Sequence, residues 1–338
     1  MGSVVGRLTL ATAAAVAGAA ALSASYQALG ERADRRRFPA PGRLVNVGGH
    51  RLHLWAEGEG GPTVVCIPAL GTSGLEWVAI QRALSPHVRA CVYDRGGLGW
   101  SDLPRGPRSV CRLADELAEL LAAADLPGPF VLVGHSVGGI IARDMVTRYR
   151  DRVCGLVLVD SSHEQMWDRL PGYQDRWQFA RRAARRRLEW LGARRALANL
   201  GLRPKPRPDR GYPAELADAG LAMDRTSRQR RARIREMLAL HRGFAEAYAR
   251  RAHLGSLPMT VLTAGPDDPH IAANYAELKR RTHGTWLELQ TELAALADGS
   301  THRVIDTSGH HIHLDSPSAL VQEVLAVCER ARVAHRPR

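Results

Sequence analysis

The segment 134–138 reads Gly-His-Ser-Val-Gly and places a serine between two glycines. The apolar run Phe130 to Val133 precedes it, and a helical pattern follows it. A tight turn from a strand into a helix needs small flanking residues and exposes the serine hydroxyl at the N-terminus of the helix. In this context the segment predicts a nucleophilic serine, Ser136, whereas the bare pattern would also fit an ordinary turn.

The elements that must position this serine are short apolar runs alternating with helical patterns. Strands followed by helices indicate a mostly parallel sheet covered on both faces, with its chemistry at the C-terminal ends of the strands. We predict eight strands: Leu44 to Val47, Leu52 to Ala56, Thr63 to Ile67, Ala90 to Tyr93, Val131 to Val133, Gly155 to Val159, Thr260 to Thr263 and His302 to Ile305.

One long segment interrupts this alternation between the sixth and seventh strands. Residues 161–258 predict several helices, broken by a proline-rich stretch at 203–208, and prolines do not fit helix interiors. We therefore divide the chain into an N-terminal hydrophobic segment and linker at 1–42, a core at 43–160 and 259–332, a helical cap at 161–258, and a tail at 333–338.

From about Arg43 to Arg332 the chain resembles the α/β-hydrolase fold family, and within it the cap-bearing serine esterases, peptidases and lactonases. The resemblance depends on four segments that each follow a predicted strand, namely 93–102, 134–138, 159–164 and 308–317. It implies an α/β-hydrolase fold, with a mostly parallel eight-stranded sheet flanked by helices and a helical cap inserted after strand six.

The resemblance makes His310 the base for Ser136, because the family carries its triad histidine after the last strand. The neighbouring His311 and His313 raise a zinc alternative, since His-His-x-His could supply metal ligands. No carboxylate or thiolate with matching spacing accompanies them in the sequence. We therefore expect no metal and no cofactor.

Two aspartates compete for the third position of the triad. Asp268 lies in Gly265-Pro266-Asp267-Asp268-Pro269, which has the spacing usual for the family acid after strand seven. Asp160 ends the sixth strand, at the position that a minority of the family uses instead. The sequence leaves the two alternatives open, and the one that is not the acid would make turn hydrogen bonds.

An oxyanion hole requires two backbone N–H groups directed at the developing negative charge. The resemblance assigns them to Val137, directly after the nucleophile, and to Leu70 in the loop after the third strand. The family commonly shows His-Gly in that loop, whereas this chain has Pro68-Ala69. The departure leaves the main-chain donor itself possible, because any residue but proline supplies an N–H.

These residues predict a serine hydrolase that acts on a small-molecule acyl substrate through an acyl-enzyme. A carboxylic ester is the expected substrate, with thioesters, lactones and amides as alternatives. A serine nucleophile disfavours the alkyl-enzyme chemistry of epoxide hydrolases and dehalogenases. The alternative from another class is a catalytically silent member of the fold that binds a small ligand or a partner.

The charge of the chain is concentrated in the cap. The chain of 338 residues carries 47 basic and 34 acidic side chains, and residues 161–258 alone hold 22 and 10 of them. The rest therefore holds 25 and 24, so the core is close to neutral. Because only 5% of residues are aromatic and no binding motif is present, the sequence disfavours nucleic acid as a partner.

Within the cap, a short segment mixes arginines with apolar residues, which suits either a solvated helix face or an anionic membrane surface. Its arginines are Arg181, Arg182, Arg185, Arg186, Arg187, Arg194 and Arg195, and its apolar residues are Phe179, Leu188, Trp190 and Leu191. We expect vesicles of anionic lipid to recruit the protein at low salt. The sequence does not indicate an oligomeric state.

The N-terminal segment has 22 uncharged residues, from Leu8 to Leu29, followed by an arginine cluster ending at Arg37. Its length predicts a transmembrane anchor, and the cluster would place the main body in the cytoplasm. Its alanine-rich composition also fits a soluble helix or a signal peptide cleaved near Ser23-Ala24-Ser25, with export of the protein. The five cysteines show no ligand spacing, and we expect all five to be buried as small apolar side chains.

Overall fold

The computed structural model describes residues 2–170, 195–196, 199–200, 211–268 and 273–334. Its centre is one eight-stranded sheet with the strand order β1-β2-β4-β3-β5-β6-β7-β8. The strands are β1 (Arg43–Asn46), β2 (Arg51–Glu57), β3 (Thr63–Ile67), β4 (Ala90–Tyr93), β5 (Phe130–His135), β6 (Val153–Val159), β7 (Met259–Ala264) and β8 (Thr301–Ile305). All eight predicted strands are present, with ends that differ by no more than two residues.

Most of the sheet is parallel. β1 pairs antiparallel with β2, and β2 pairs antiparallel with β4, whereas every pair from β4 onward to β8 is parallel. Every residue of β3 to β7 is buried, which explains why these strands read as continuous apolar runs rather than as alternating patterns. The predicted α/β-hydrolase architecture is confirmed.

Helices cover both faces of the sheet and build one apolar core on each side. The helices of the described residues are α1 (Gly2–Arg37), α2 (Val78–Leu84), α3 (Val110–Ala123), α4 (Val137–Arg148), α5 (Met166–Arg169), α6 (Ala217–Asp224), α7 (Ser227–Ala249), α8 (Ala273–Ala294), α9 (Ile312–Asp315) and α10 (Pro317–Ala334). Side-chain caps begin two of them, because Ser109 accepts from the Arg112 N–H and Thr226 accepts from the Gln229 N–H.

The described part of the cap includes α5, α6 and α7, and the sequence predicts the last two as helices at Pro213 to Met223 and Ser227 to Arg251. The two other predicted cap helices, over 177–191 and 193–200, lie almost wholly outside the described residues. So does the arginine-rich segment apart from Arg195. The expectation of a membrane-facing cap therefore stays a prediction.

The N-terminal segment forms helix α1, which packs against the cap. Gln27 is buried and donates to the Arg225 carbonyl at 2.7 Å, while Arg195 pairs with Asp34 at 2.7 Å. Among the helices of the described residues, none is both long enough and apolar enough to cross a membrane. The predicted transmembrane anchor at Leu8 to Leu29 is therefore not supported, because alanine, glycine, serine and threonine dilute its hydropathy.

The loop after β4 packs around one buried carboxylate, and this packing explains the residues found in the loop. Asp94 accepts from the Gly74 N–H at 2.8 Å, from the Trp100 N–H at 3.0 Å and from His53 Nδ1 at 2.8 Å. Gly99 has a φ of +46°, and a Cβ there would overlap the Asp94 carboxylate. The motif at 93–102 is therefore structural, and its aspartate connects the loop after β4 to β2 and to the segment after β3.

Candidate active site

Ser136 lies in a strained turn between β5 and α4. Its φ is +54° and its ψ is −122°, which is a conformation that residues with a side chain rarely adopt and that costs about 1–3 kcal/mol. Glycines permit the turn, since a Cβ on Gly138 would overlap the Ile67 carbonyl oxygen and one on Gly134 would lie 2.6 Å from the Gly138 carbonyl oxygen. The local sequence thus allows the backbone strain that lifts the serine out of the sheet.

The hydroxyl of Ser136 is placed for chemistry rather than for capping. Ser136 is the N-cap residue of α4, yet its side chain makes no capping hydrogen bond, and it is half-buried. The residue is fixed through its main chain, which donates to Val159 O at 3.1 Å and accepts from the Ser162 N–H at 3.0 Å. A rigid backbone therefore presents a hydroxyl at the positive end of a helix dipole.

His310 follows β8 and contacts a buried carboxylate through one ring nitrogen. Its Nδ1 lies 2.5 Å from Asp160 Oδ2, and its side chain is 36% exposed whereas that of Asp160 is 3% exposed. Among the described residues no hydrogen bond uses the other ring nitrogen, Nε2. A carboxylate on Nδ1 fixes the tautomer whose Nε2 can accept a proton.

Asp160 is held by three donors at the end of β6. Its Oδ1 accepts from the Ala264 N–H at 3.0 Å and from Trp286 Nε1 at 2.8 Å, while Oδ2 faces His310. Burial alone raises the pKa of this carboxyl, but the contact with His310 and the hydrogen bonds outweigh it, so the pKa is lowered from its ordinary value. Asp160 is therefore an ionised carboxylate aimed at the imidazole.

Asp268 contacts the same histidine at a different atom. Its Oδ2 accepts from the main-chain N–H of His310 at 2.9 Å, and Lys279 Nζ lies 3.7 Å from that oxygen. The carboxylate is buried and fixes the backbone that carries the imidazole. Of the two aspartates that the sequence left open, Asp160 contacts the ring and Asp268 contacts the main chain.

The loop after β3 lies beside the serine turn and is held by a buried ion pair. Arg95 donates to the Pro68 carbonyl at 2.7 Å and to the Ala69 carbonyl at 2.6 Å. Glu236, on the cap helix α7, contacts Arg95 at 2.9 Å and accepts from the Gly71 N–H at 3.0 Å. These bonds fix the main chain on both sides of Leu70.

The two expected oxyanion donors come from this loop and from the first residue of α4. Val137 is the first residue of α4, so its N–H has no acceptor within the helix. Leu70 is half-buried in the held loop, and a Cβ on Gly138 would also approach the Pro68 carbonyl oxygen to 2.8 Å. The loop and the first turn of α4 are therefore in close contact, as two converging donors require.

The sequence did not indicate several residues that complete the site. Trp286, Arg95 and Glu236 hold the acid and the loop, but each is far along the chain from the group it contacts. His135 was assigned only to the turn, yet its ring lies 4.7 Å from that of His310, centroid to centroid. These contacts depend on how the helices and strands pack in three dimensions, which no local sequence pattern shows.

Comparison with known proteins identifies the family and the fold of the chain. The model of the alpha/beta hydrolase family matches residues 64–323. The chain is 35% identical over 145 residues to the probable transporter efuK of Hormonema carpetanum, which covers 40% of this chain and 21% of that protein. It is 30% identical over 240 residues to an uncharacterized protein of Schizosaccharomyces pombe, which covers 70% of this chain and 40% of that protein.

The chain thus spans about a fifth of the length of the first relative and about two fifths of the length of the second. Among solved structures, a thermophilic esterase from Thermogutta terrifontis superposes with a TM-score of 0.60 at 21% identity, covering 86% of this chain and 99% of that one. At this identity the likeness shows the fold. Since the family match covers most of the chain and includes the serine turn and the His310 loop, this protein belongs to the alpha/beta hydrolase family.

Proposed function

We propose that this protein is a serine hydrolase that cleaves a carboxylic ester, or a related acyl substrate, through an acyl-enzyme. The observation that carries the proposal is the 2.5 Å contact between His310 Nδ1 and the buried carboxylate of Asp160. That contact accompanies a strained Ser136 turn, which is the combination that nucleophilic catalysis by serine needs. Membership of a hydrolase family supports the same conclusion.

In the first half of the reaction, His310 Nε2 removes the proton of Ser136 Oγ as the oxygen attacks the carbonyl carbon. Asp160 stays ionised and stabilises the imidazolium that forms. The N–H groups of Leu70 and Val137 hold the negative charge on the carbonyl oxygen. His310 then gives the proton to the leaving alcohol as the carbon–oxygen bond breaks, which leaves an acyl group on Ser136.

In the second half, water takes the place of the alcohol. His310 removes a proton from the water as it attacks the acyl-enzyme, and the same two N–H groups hold the new oxyanion. The proton passes from His310 to Ser136 Oγ as the acid product leaves. The scheme uses only side chains and main-chain groups of this chain together with water.

A panel of p-nitrophenyl esters of graded chain length tests the proposal and measures the depth of the acyl pocket. We expect hydrolysis by the natural chain, and a loss of kcat on the order of 10⁴-fold or more in Ser136→Ala, because removal of a triad member leaves only binding and the oxyanion hole. Ser85→Ala is the matched control, since Ser85 is half-buried and donates to the Arg82 carbonyl away from the site.

Labelling with a fluorophosphonate separates this proposal from the catalytically silent alternative. An activated Ser136 reacts with the probe in the folded protein, and Ser136→Ala does not. Folded natural protein that neither reacts with the probe nor hydrolyses any ester of the panel would contradict the proposal and favour the silent binding protein.

A further inference from the structure

Three histidines converge beside the candidate active site without taking part in the reaction scheme. His135 ends β5, whereas His311 and His313 lie in the turn that contains α9. One ring nitrogen from each can be chosen so that all three atoms lie within 4.8 Å of one another. His311 and His313 are close together in the sequence, and the fold adds His135 from strand β5 to this pair.

His135 has the arrangement of a metal-binding histidine. Its Nε2 lies 2.9 Å from the carbonyl oxygen of His310, which fixes the proton on Nε2 and the lone pair on Nδ1. Nδ1 is buried and has no hydrogen-bond partner among the described residues. Histidines that bind metals commonly donate their other ring nitrogen to a carbonyl in this way.

His313 is buried with both ring nitrogens lacking hydrogen-bond partners among the described residues. Its ring stacks on Trp77 with a centroid distance of 4.6 Å and an interplanar angle of 5°. A buried polar group without a hydrogen-bond partner destabilises the fold. A ligand that binds nitrogen lone pairs would therefore stabilise the folded protein at this cluster.

Both His135 and His313 are buried, which disfavours a positive charge on either ring. Burial, assisted by the neighbouring histidines, lowers the pKa of His135 and of His313 well below the ordinary value. Neutral imidazole is the metal-binding form, so no proton has to leave either of these two rings.

We infer that His135, His311 and His313 form a binding site for one zinc ion. Three imidazoles are a known ligand set for zinc, with a fourth position left for water. Zinc–nitrogen bonds of about 2.0–2.1 Å put tetrahedral ligand atoms roughly 3.4 Å apart, so ring nitrogens that are 4.8 Å apart must approach each other by about 1.4 Å. His311 is the half-buried member of the three.

The test measures zinc binding directly, on tag-free full-length protein stripped of metal by a chelator. We expect one equivalent of Zn²⁺ by equilibrium dialysis with elemental analysis. We also expect Co²⁺ at the same site to show the intense visible absorption of a tetrahedral complex. Neither readout depends on hydrolysis, so the inference stands or fails separately from the proposed function.

Two variants and a control assign the site. His311→Asn and His313→Phe should lose stoichiometric zinc binding, and phenylalanine keeps an aromatic ring against Trp77. His253→Asn should bind as the natural chain does, because the His253 side chain is 54% exposed and lies outside the cluster. If His313→Phe fails to fold, His311→Asn decides alone. Less than one equivalent in the natural chain, or unchanged binding in His311→Asn, would overturn the inference.

Discussion

At the scale of single residues, the site depends on which atom of His310 each aspartate contacts. Asp160 meets the ring at Nδ1, and Asp268 meets the main-chain N–H. A carboxylate on the ring can stabilise an imidazolium, whereas a carboxylate on the main chain can only hold the loop. The two aspartates therefore have separable effects, although both are buried within contact distance of one residue.

Substitution by asparagine distinguishes the two. Asp160→Asn should lower kcat for ester hydrolysis by on the order of 10³- to 10⁴-fold, because the amide no longer stabilises the charged ring or selects its tautomer. Asp268→Asn keeps an oxygen that can accept the His310 N–H, so we expect a loss of less than about tenfold. Steady-state kinetics with one p-nitrophenyl ester measures both, and comparable losses in the two variants would contradict the assignment.

At the scale of elements, the cap and the core are joined at the loop that carries Leu70. Glu236 comes from α7 and Arg95 from the loop after β4, with side chains 2% and 1% exposed. Burial raises the pKa of the Glu236 carboxyl, but the charge and hydrogen bonds of Arg95 outweigh it and lower the pKa. The cap helix is therefore part of the scaffold that holds the expected oxyanion donor.

Glu236→Gln should weaken both the fold and the reaction. Removing one charge from a buried pair leaves the other uncompensated, which costs about 3–5 kcal/mol in the free energy of unfolding. The loop at 68–71 also loses an anchor, so kcat should fall even in samples shown to be folded by circular dichroism. Urea unfolding and ester kinetics measure the two effects.

Glu246→Gln on the same helix is the matched control. Glu246 pairs with Arg242 at 2.6 Å, but the arginine side chain is 86% exposed, and such surface pairs contribute at most about 0.5 kcal/mol. If Glu236→Gln destabilises the protein no more than Glu246→Gln does, the buried pair is not an anchor.

At the scale of the whole molecule, buried ionisable groups make stability depend on pH. His163 follows β6 with its side chain fully buried, and its Nδ1 lies 3.1 Å from the Gln165 N–H. Its pKa is lowered to about 4, mainly by burial; Arg143 and Arg251 also lower the pKa, whereas Glu164 and Glu292 raise it. The folded protein therefore keeps this ring neutral at pH values where the unfolded chain protonates it.

The free energy of unfolding should fall as the pH drops from about 6.5 to about 4. The ordinary histidine pKa of 6.5 applies to the unfolded chain, which binds a proton in this range, while the folded chain does not. The contribution of His163 reaches about 3 kcal/mol at the lower end, at 1.36 kcal/mol for each pKa unit. Urea unfolding at several pH values measures it.

The variant His163→Gln isolates this contribution. Its unfolding free energy should fall less steeply between pH 6.5 and 4 than that of the natural chain, because the group that takes up the proton is gone. His87→Gln serves as the control, since His87 is exposed and should leave the slope unchanged. Equal slopes in the natural chain and His163→Gln would show that this buried ring does not govern the acid sensitivity.

The sequence by itself determined the sheet and the serine turn. Strand bounds and the glycine-flanked Ser136 turn come from local patterns, because burial of a parallel strand and the space around a tight turn act on consecutive residues. Helix ends are less well determined: the sequence pattern predicts a helix only over Thr285 to Leu296, whereas α8 begins at Ala273 and ends at Ala294. Where polar residues continue a helix, the hydrophobic periodicity does not show at which residue the helix begins or ends.

The tertiary structure alone decided which distant groups meet. Asp160 is 150 positions from His310, and Glu236 is 141 positions from Arg95, so no local pattern relates them. Parallel strands β5, β6, β7 and β8 bring their C-terminal ends to one edge of the sheet. At that edge the His310 ring contacts the Asp160 carboxylate, and three other histidines lie close together. The sequence supplied both aspartates and all the imidazoles, and packing selected their partners because distance in space depends on strand order rather than on separation along the chain.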